Sequence, residues 1–168
     1  MNELQNLFFQ IIKAILSVDG IEESRNKGDV LYGLHNYVAR FSLAKDQYFI
    51  TDKSHDHLKK LDLSSPPLLR SKKTTKMKFT YEHPVPCNLV SNALLENKDD
   101  EEFIQNVLIR TDCVTILTHE ELRSIPKALN SKMPDGWKIS NDDPFIRYRL
   151  SNIQVPTKTI EMKGSIQR

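Results

Sequence analysis

The chain has 168 residues, of which 39% are hydrophobic and 27% are charged, and its formal net charge is +2. This length is enough for one domain with a hydrophobic core, and no apolar run approaches the roughly 20 residues of a membrane-spanning helix. A transmembrane anchor is therefore excluded, and the two cysteines are too few for a four-thiolate zinc site.

The charges are unevenly distributed along the chain. Residues 53–78 contain eight Lys or Arg and two Asp, whereas residues 96–121 contain eight Asp or Glu and two Lys or Arg. Blocks of opposite sign indicate a basic surface for an anionic partner and a separate acidic surface. The N-terminus carries an acid where a secretory signal would carry Lys or Arg, so we expect a cytoplasmic protein.

Two amphipathic helices are predicted in the N-terminal quarter. Residues 2–18 place apolar side chains at spacings of three and four, and a second helix is predicted from Asp29, its N-cap, to about Ser42. We predict a helical hairpin over residues 1–45. It packs either on the central domain or on a second copy of the chain, in which case it is a homodimerisation element.

Residues 46–78 are predicted to be a polar and basic connector. His55 and His57 are interpreted as part of a solvated turn, because the lysines around them would repel a divalent cation. Pro66 and Pro67 interrupt regular structure. The basic run that follows is interpreted either as a solvated loop or as an arm that binds the phosphates of a nucleic acid. Its cations are Arg70, Lys72, Lys73, Lys76 and Lys78.

Residues 79–156 are predicted to be an α+β core domain. Phe79–His83 is extended and ends at Pro84, helices follow at about 86–97 and 99–109, and residues 114–117 form a strand. Thr118 and Glu121 have the spacing of a capping box, and Asp142–Pro144 opens a further helix. Residues 153–155 are expected to form an edge strand, and residues 157–168 a mobile tail. The predicted fold is a small sheet packed with short helices, preceded by the hairpin.

The candidate catalytic residues are Glu82, His83, His119 and Glu120. A carboxylate with an imidazole can bind Mg²⁺ or another divalent cation, or activate water, at a phosphodiester. Glu82 and Glu120 are the predicted metal ligands, and Arg147 is a predicted phosphate contact beside the basic run. Because neighbouring strand residues point to opposite faces, the workable pairs are His83 with Glu120 or Glu82 with His119. The same residues are alternatively a helix cap, a surface ion pair or a buried structural histidine.

Two functions follow from these patterns. The first is a metal-assisted nuclease of the restriction or toxin kind, in which the basic run holds the nucleic acid and the Glu and His residues hydrolyse it. The second is a non-enzymatic regulator or inhibitor that binds nucleic acid or protein through its oppositely charged faces. Salt-sensitive binding without cleavage would favour the second.

Overall fold

The computed structural model describes residues 1–21, 29–60 and 79–161, with only the backbone described for Asp29 and Val30. Along the chain we label its regular elements α1 to α7 and β1 to β4. They are α1 (Glu3–Leu16), α2 (Asp29–Leu43), β1 (Gln47–Ile50), α3 (Asp52–Lys60), β2 (Phe79–Glu82), α4 (Cys87–Glu96), α5 (Glu101–Arg110), β3 (Thr115–Thr118), α6 (His119–Ser124), α7 (Ile146–Leu150) and β4 (Lys158–Glu161). A short 3₁₀ helix spans Lys127–Leu129. Among the described helices, none combines the length and the apolar character that crossing a bilayer requires.

The two predicted N-terminal helices are confirmed. Asn2 caps α1 by accepting a hydrogen bond from the Gln5 amide at 2.8 Å, and the Gln5 side chain accepts one from the Asn2 amide at 3.1 Å. The apolar stripe of α1 packs against α2, and both helices share one hydrophobic core with α4 and α5. In the described part of the chain, the two N-terminal helices therefore pack on the central domain, which is one of the two packing modes predicted for them.

A mixed sheet with strand order β2-β3-β1-β4 confirms the α+β class. β1 is parallel to β3, whereas β2 runs antiparallel to β3 and β4 antiparallel to β1. The connector prediction is wrong for residues 47–60, because β1 is an interior strand and α3 follows it. The tail prediction is wrong for residues 158–161, which form β4, while residues 61–78 and 162–168 lie outside the described residues.

The two faces of the sheet have different neighbours. Tyr48, Ile50 and Ile116 lie on one face, in a cluster with Leu58 of α3. The opposite face carries Leu117, which packs in a cluster with Tyr148 of α7. Strand alternation therefore assigns α3 to one side of the sheet and α7 to the other.

The helix in the C-terminal segment is shorter than the sequence predicts. The helix begins at Ile146 and not at Pro144, since the Asp143 side chain accepts a hydrogen bond from the Phe145 amide at 2.9 Å and its carbonyl accepts one from Trp137 Nε1 at 3.0 Å. Residues 153–155 are not a strand; the edge strand is β4. This segment places Arg147 and Tyr148 under the sheet, where both are buried.

Candidate functional site

The two predicted catalytic pairs lie at opposite ends of the β2–β3 ladder. In this antiparallel register Glu82 is opposite Thr115, while Phe79 is opposite Thr118, the residue just before His119. Three residue steps along a strand cover about 10 Å. Glu82 faces α7, whereas Glu120 forms an ion pair with Lys53 of α3 on the other side of the sheet. The described fold therefore does not bring the Glu82/His83 pair and the His119/Glu120 pair into one site.

Glu82 is held by two buried partners. Its Oε1 accepts a hydrogen bond from Arg147 Nη1 at 3.0 Å, and its Oε2 accepts one from the Tyr148 hydroxyl at 2.5 Å. Burial raises the pKa of Glu82, and the attraction of Arg147 and the Tyr148 hydrogen bond act in the opposite direction. Both carboxylate oxygens are thus occupied by side chains of α7.

Arg147 connects α7 to the end of β2 through hydrogen bonds. Its side chain is 2% exposed, and besides Glu82 it donates hydrogen bonds to the carbonyls of His83, Pro84 and Asn130 at 3.0 to 3.3 Å. This burial conflicts with the predicted role of Arg147 as a phosphate contact. Its charge is paired with Glu82 inside the protein, so in this conformation Arg147 joins three chain segments.

His83 is the residue after β2, and its side chain lies next to Ala39 of α2. Its pKa is lowered to about 4, mainly by burial and further by the neighbouring charge of His35, while a hydrogen bond with the Ala39 backbone acts in the opposite direction. Its Nε2 is buried and has no hydrogen-bond partner among the described residues. The ring is therefore neutral at physiological pH, and its low basicity makes it a poor general base there.

At the other end of the ladder, the predicted capping box is confirmed. The Glu121 amide donates to Thr118 Oγ1 at 3.1 Å, and the Glu121 carboxylate accepts from the Thr118 amide and hydroxyl, both at 2.9 Å. Ser54 of α3 also donates to this carboxylate, at 3.1 Å. Glu121 is thus the buried acid of the sequence His119-Glu120-Glu121, and the capping spacing is the signal that identifies it. His119 is half-buried as the first residue of α6.

Glu120 borders a cleft between α3 and the junction of β3 with α6. We call this feature the α3–α6 cleft; its volume is about 290 Å³, and it is lined by Lys53, Asp56, His57, Lys60, Thr118 and Glu120. Three of these residues, Lys53, His57 and Lys60, are spaced by four and three and so share one face of α3. The sequence assigns the two lysines only to the general basic surface of residues 53–78 and places His57 in a solvated turn. The helical spacing of two lysines and a histidine is the signal that groups the three residues.

The predicted metal site does not assemble in the described part of the chain. Glu82 and Glu120 belong to opposite ends of the ladder, and across residues 1–21, 29–60 and 79–161 no three His, Cys, Asp or Glu side chains are grouped as metal ligands. Four of the five cations of the basic run lie within residues 70–76 and the fifth is Lys78, so the whole run is outside the described residues.

Comparison with protein-family models, with curated proteins and with solved structures finds no match for this chain. Two features of the structure bear on function, namely the internal pairing of Glu82 and the cationic face of α3 at the α3–α6 cleft.

Proposed function

We propose that the protein binds nucleic acid through a basic surface and acts as a non-enzymatic regulator or inhibitor. The observation that carries the proposal is that all three lysines of α3, Lys53, Lys59 and Lys60, are solvent-exposed. Exposed cations attract a phosphate backbone and release the counterions condensed on it.

The sequence that follows α3 extends the same charge. Residues 53–78 contain eight Lys or Arg and two Asp, and α3 supplies the first three of these cations from an ordered helix. Such a run supplies phosphate contacts without base recognition. We therefore expect affinity for single- and double-stranded nucleic acid that depends strongly on salt and weakly on sequence.

The state of Glu82 and His83 favours binding over catalysis. Glu82 has both oxygens engaged by Arg147 and Tyr148, and the pKa of His83 is lowered to about 4. A hydrolytic role would require at least one of these groups to reach a bound phosphodiester. The metal-assisted nuclease is the competing proposal, with Glu120 and His119 as the candidate groups nearest to α3. A cytoplasmic location and a homodimer formed through α1 and α2 remain proposals from the sequence.

The binding proposal is tested with labelled single- and double-stranded oligonucleotides titrated at several salt concentrations. We expect the logarithm of the association constant to fall linearly with the logarithm of salt, with a slope of about −0.9 per phosphate neutralised on duplex DNA. The double variant Lys59→Glu/Lys60→Glu should bind more weakly and show a shallower slope. The matched control is Lys132→Glu/Lys138→Glu, which makes the same change of charge at two exposed residues next to Met133 and Trp137, and these pack in the helical core, whereas α3 packs on the sheet. Equal loss in both variants, or no binding by the wild type, would refute the proposal.

The same oligonucleotides distinguish binding from cleavage. They are incubated with the protein in the presence of Mg²⁺ and, separately, of a chelator, and their lengths are compared after incubation. We expect intact substrates in both cases. Degradation that needs the metal and disappears in Glu120→Gln or His119→Ala proteins would replace the binding proposal by the nuclease.

A further inference from the structure

We infer that the α3–α6 cleft is a phosphate-binding site in which the Glu120 carboxylate occupies the place of the ligand when no ligand is bound. This inference rests on the proposed function only for the nature of the ligand, a phosphodiester of nucleic acid. Its structural basis is the pairing of Glu120 with Lys53 across the cleft, where the Nζ to Oε1 distance is 2.9 Å.

The cleft presents its cations from a single helix face. Lys53 and Lys60 flank His57 at helical spacing, and all three line the same cavity of about 290 Å³. The His57 ring makes an edge-on contact with the Phe79 ring, with centroids 5.3 Å apart. Because Phe79 is buried in β2, this contact fixes the imidazole at the cleft wall.

The opposing charges show why a ligand has to compete with Glu120. Asp56 and Glu120 balance the two lysines of the cleft when His57 is neutral, so the cleft holds no excess positive charge while Glu120 is in place. Among the described residues Lys60 has no ion pair, whereas Lys53 is paired with Glu120. A phosphate that displaces Glu120 would lie between both lysines.

Breaking the ion pair between Lys53 and Glu120 costs little. The side chains of Lys53 and Glu120 are 51% and 79% exposed, and exposed ion pairs of this kind contribute little to stability. Thr118 is not available as a further donor, because its hydroxyl is engaged by Glu121 in the capping box. Glu121 stays buried in its capping box, so Glu120 is the acid of this pair that can move.

Neutralising Glu120 should therefore strengthen binding. A unit charge about 5 Å away in water-like surroundings changes the affinity for an ion roughly fourfold. We expect Glu120→Gln to bind a single-stranded oligonucleotide about fourfold more tightly than the wild type at low salt, and Lys60→Gln to bind it about fourfold more weakly. A catalytic Glu120 predicts instead an unchanged affinity with loss of cleavage.

The matched control is Glu102→Gln, which changes the net charge by the same amount. Glu102 is an exposed residue of α5, and α5 packs in the helical core while α3 packs on the sheet. Both variants are also compared at about 0.1 M salt, where the Debye length is about 10 Å; there the affinity of Glu102→Gln should stay within about 1.5-fold of the wild type, while that of Glu120→Gln should still be about twofold higher. If Glu120→Gln and Glu102→Gln change the affinity equally, the effect is one of net charge and the inference is wrong.

Inorganic phosphate separates this inference from the proposed function. Titration of the protein with sodium phosphate at constant ionic strength should give saturable amide shifts in residues 53–60 and 118–120 by NMR, with tighter saturation for Glu120→Gln. Oligonucleotide binding that is insensitive to Glu120, together with absent phosphate shifts, refutes the cleft while the binding proposal stands. Saturable shifts without oligonucleotide binding support the cleft and refute the nucleic-acid proposal.

Discussion

Replacing Arg147 by Met tests whether the Glu82–Arg147 pair is structural. The pair spans 3.0 Å, and its side chains are 2% and 11% exposed, so removing the guanidinium leaves a buried carboxylate that keeps its hydrogen bond with Tyr148 but loses its counter-charge. Breaking a buried pair in this way costs about 3–5 kcal/mol. The carbonyls of His83, Pro84 and Asn130 lose a donor as well. We therefore expect a loss of about 4 kcal/mol, a large part of the stability of a domain this size.

The free energy of unfolding is measured by urea denaturation followed through Trp137 fluorescence. Arg149→Met is the matched control, because Arg149 lies on the same helix and its ion pair with Asp143 is exposed; we expect it to lose at most about 1 kcal/mol. The double variant Arg147→Met/Glu82→Gln should recover part of the loss, since it removes the unpaired charge. Similar losses in Arg147→Met and Arg149→Met would refute the structural role.

Three further changes test other parts of the structure. Lowering the pH from 7 to 5 should reduce the free energy of unfolding by about 2 kcal/mol through His83, because the pKa of this residue is about 4 in the folded protein and near 6.5 in the unfolded chain. This contribution to stability is present above pH 6.5 and is lost as the pH falls toward 4. In urea unfolding, His83→Phe should show a flatter dependence of stability on pH. In the same assay, Glu121→Ala should lower the free energy of unfolding by about 2 kcal/mol, whereas Glu120→Ala should lower it by less than about 0.5 kcal/mol. Burial raises the pKa of Cys87 and Cys113 to about 12, so a thiol reagent should modify neither cysteine in the folded protein and both in denaturing urea.

The sequence predicts most of the helices because their signals are local. The apolar spacing of α1, the acidic start of α5 and the capping pair Thr118 and Glu121 all depend on residues within one or two turns, and each corresponds to an observed element. The strand β1 is missed because it has four residues and its neighbours are polar. Its interior position comes from pairing with β3 and β4, partners that are distant in sequence.

The candidate site is harder to predict because it depends on strand register and direction. Glu82 and His119 are separated by 36 intervening residues, and local patterns do not specify whether β2 and β3 run parallel or antiparallel. The antiparallel register places the two residues at opposite ends. The sequence also does not identify Arg147 as the partner of Glu82, because Arg147 lies in a short helix whose burial depends on its packing against the sheet.

Glu82 and Glu120 illustrate how burial decides the role of the same side chain. A carboxylate held by Arg147 and Tyr148 under the sheet contributes to stability, so Glu82→Gln should lower the free energy of unfolding and leave the oligonucleotide affinity of the folded protein unchanged. A carboxylate that is 79% exposed contributes little to stability but repels phosphate. Glu120→Gln should therefore have the opposite effects, unchanged stability and higher affinity. A catalytic site shared by both residues predicts that either substitution abolishes one common activity, so the two phenotypes distinguish the binding protein from the nuclease.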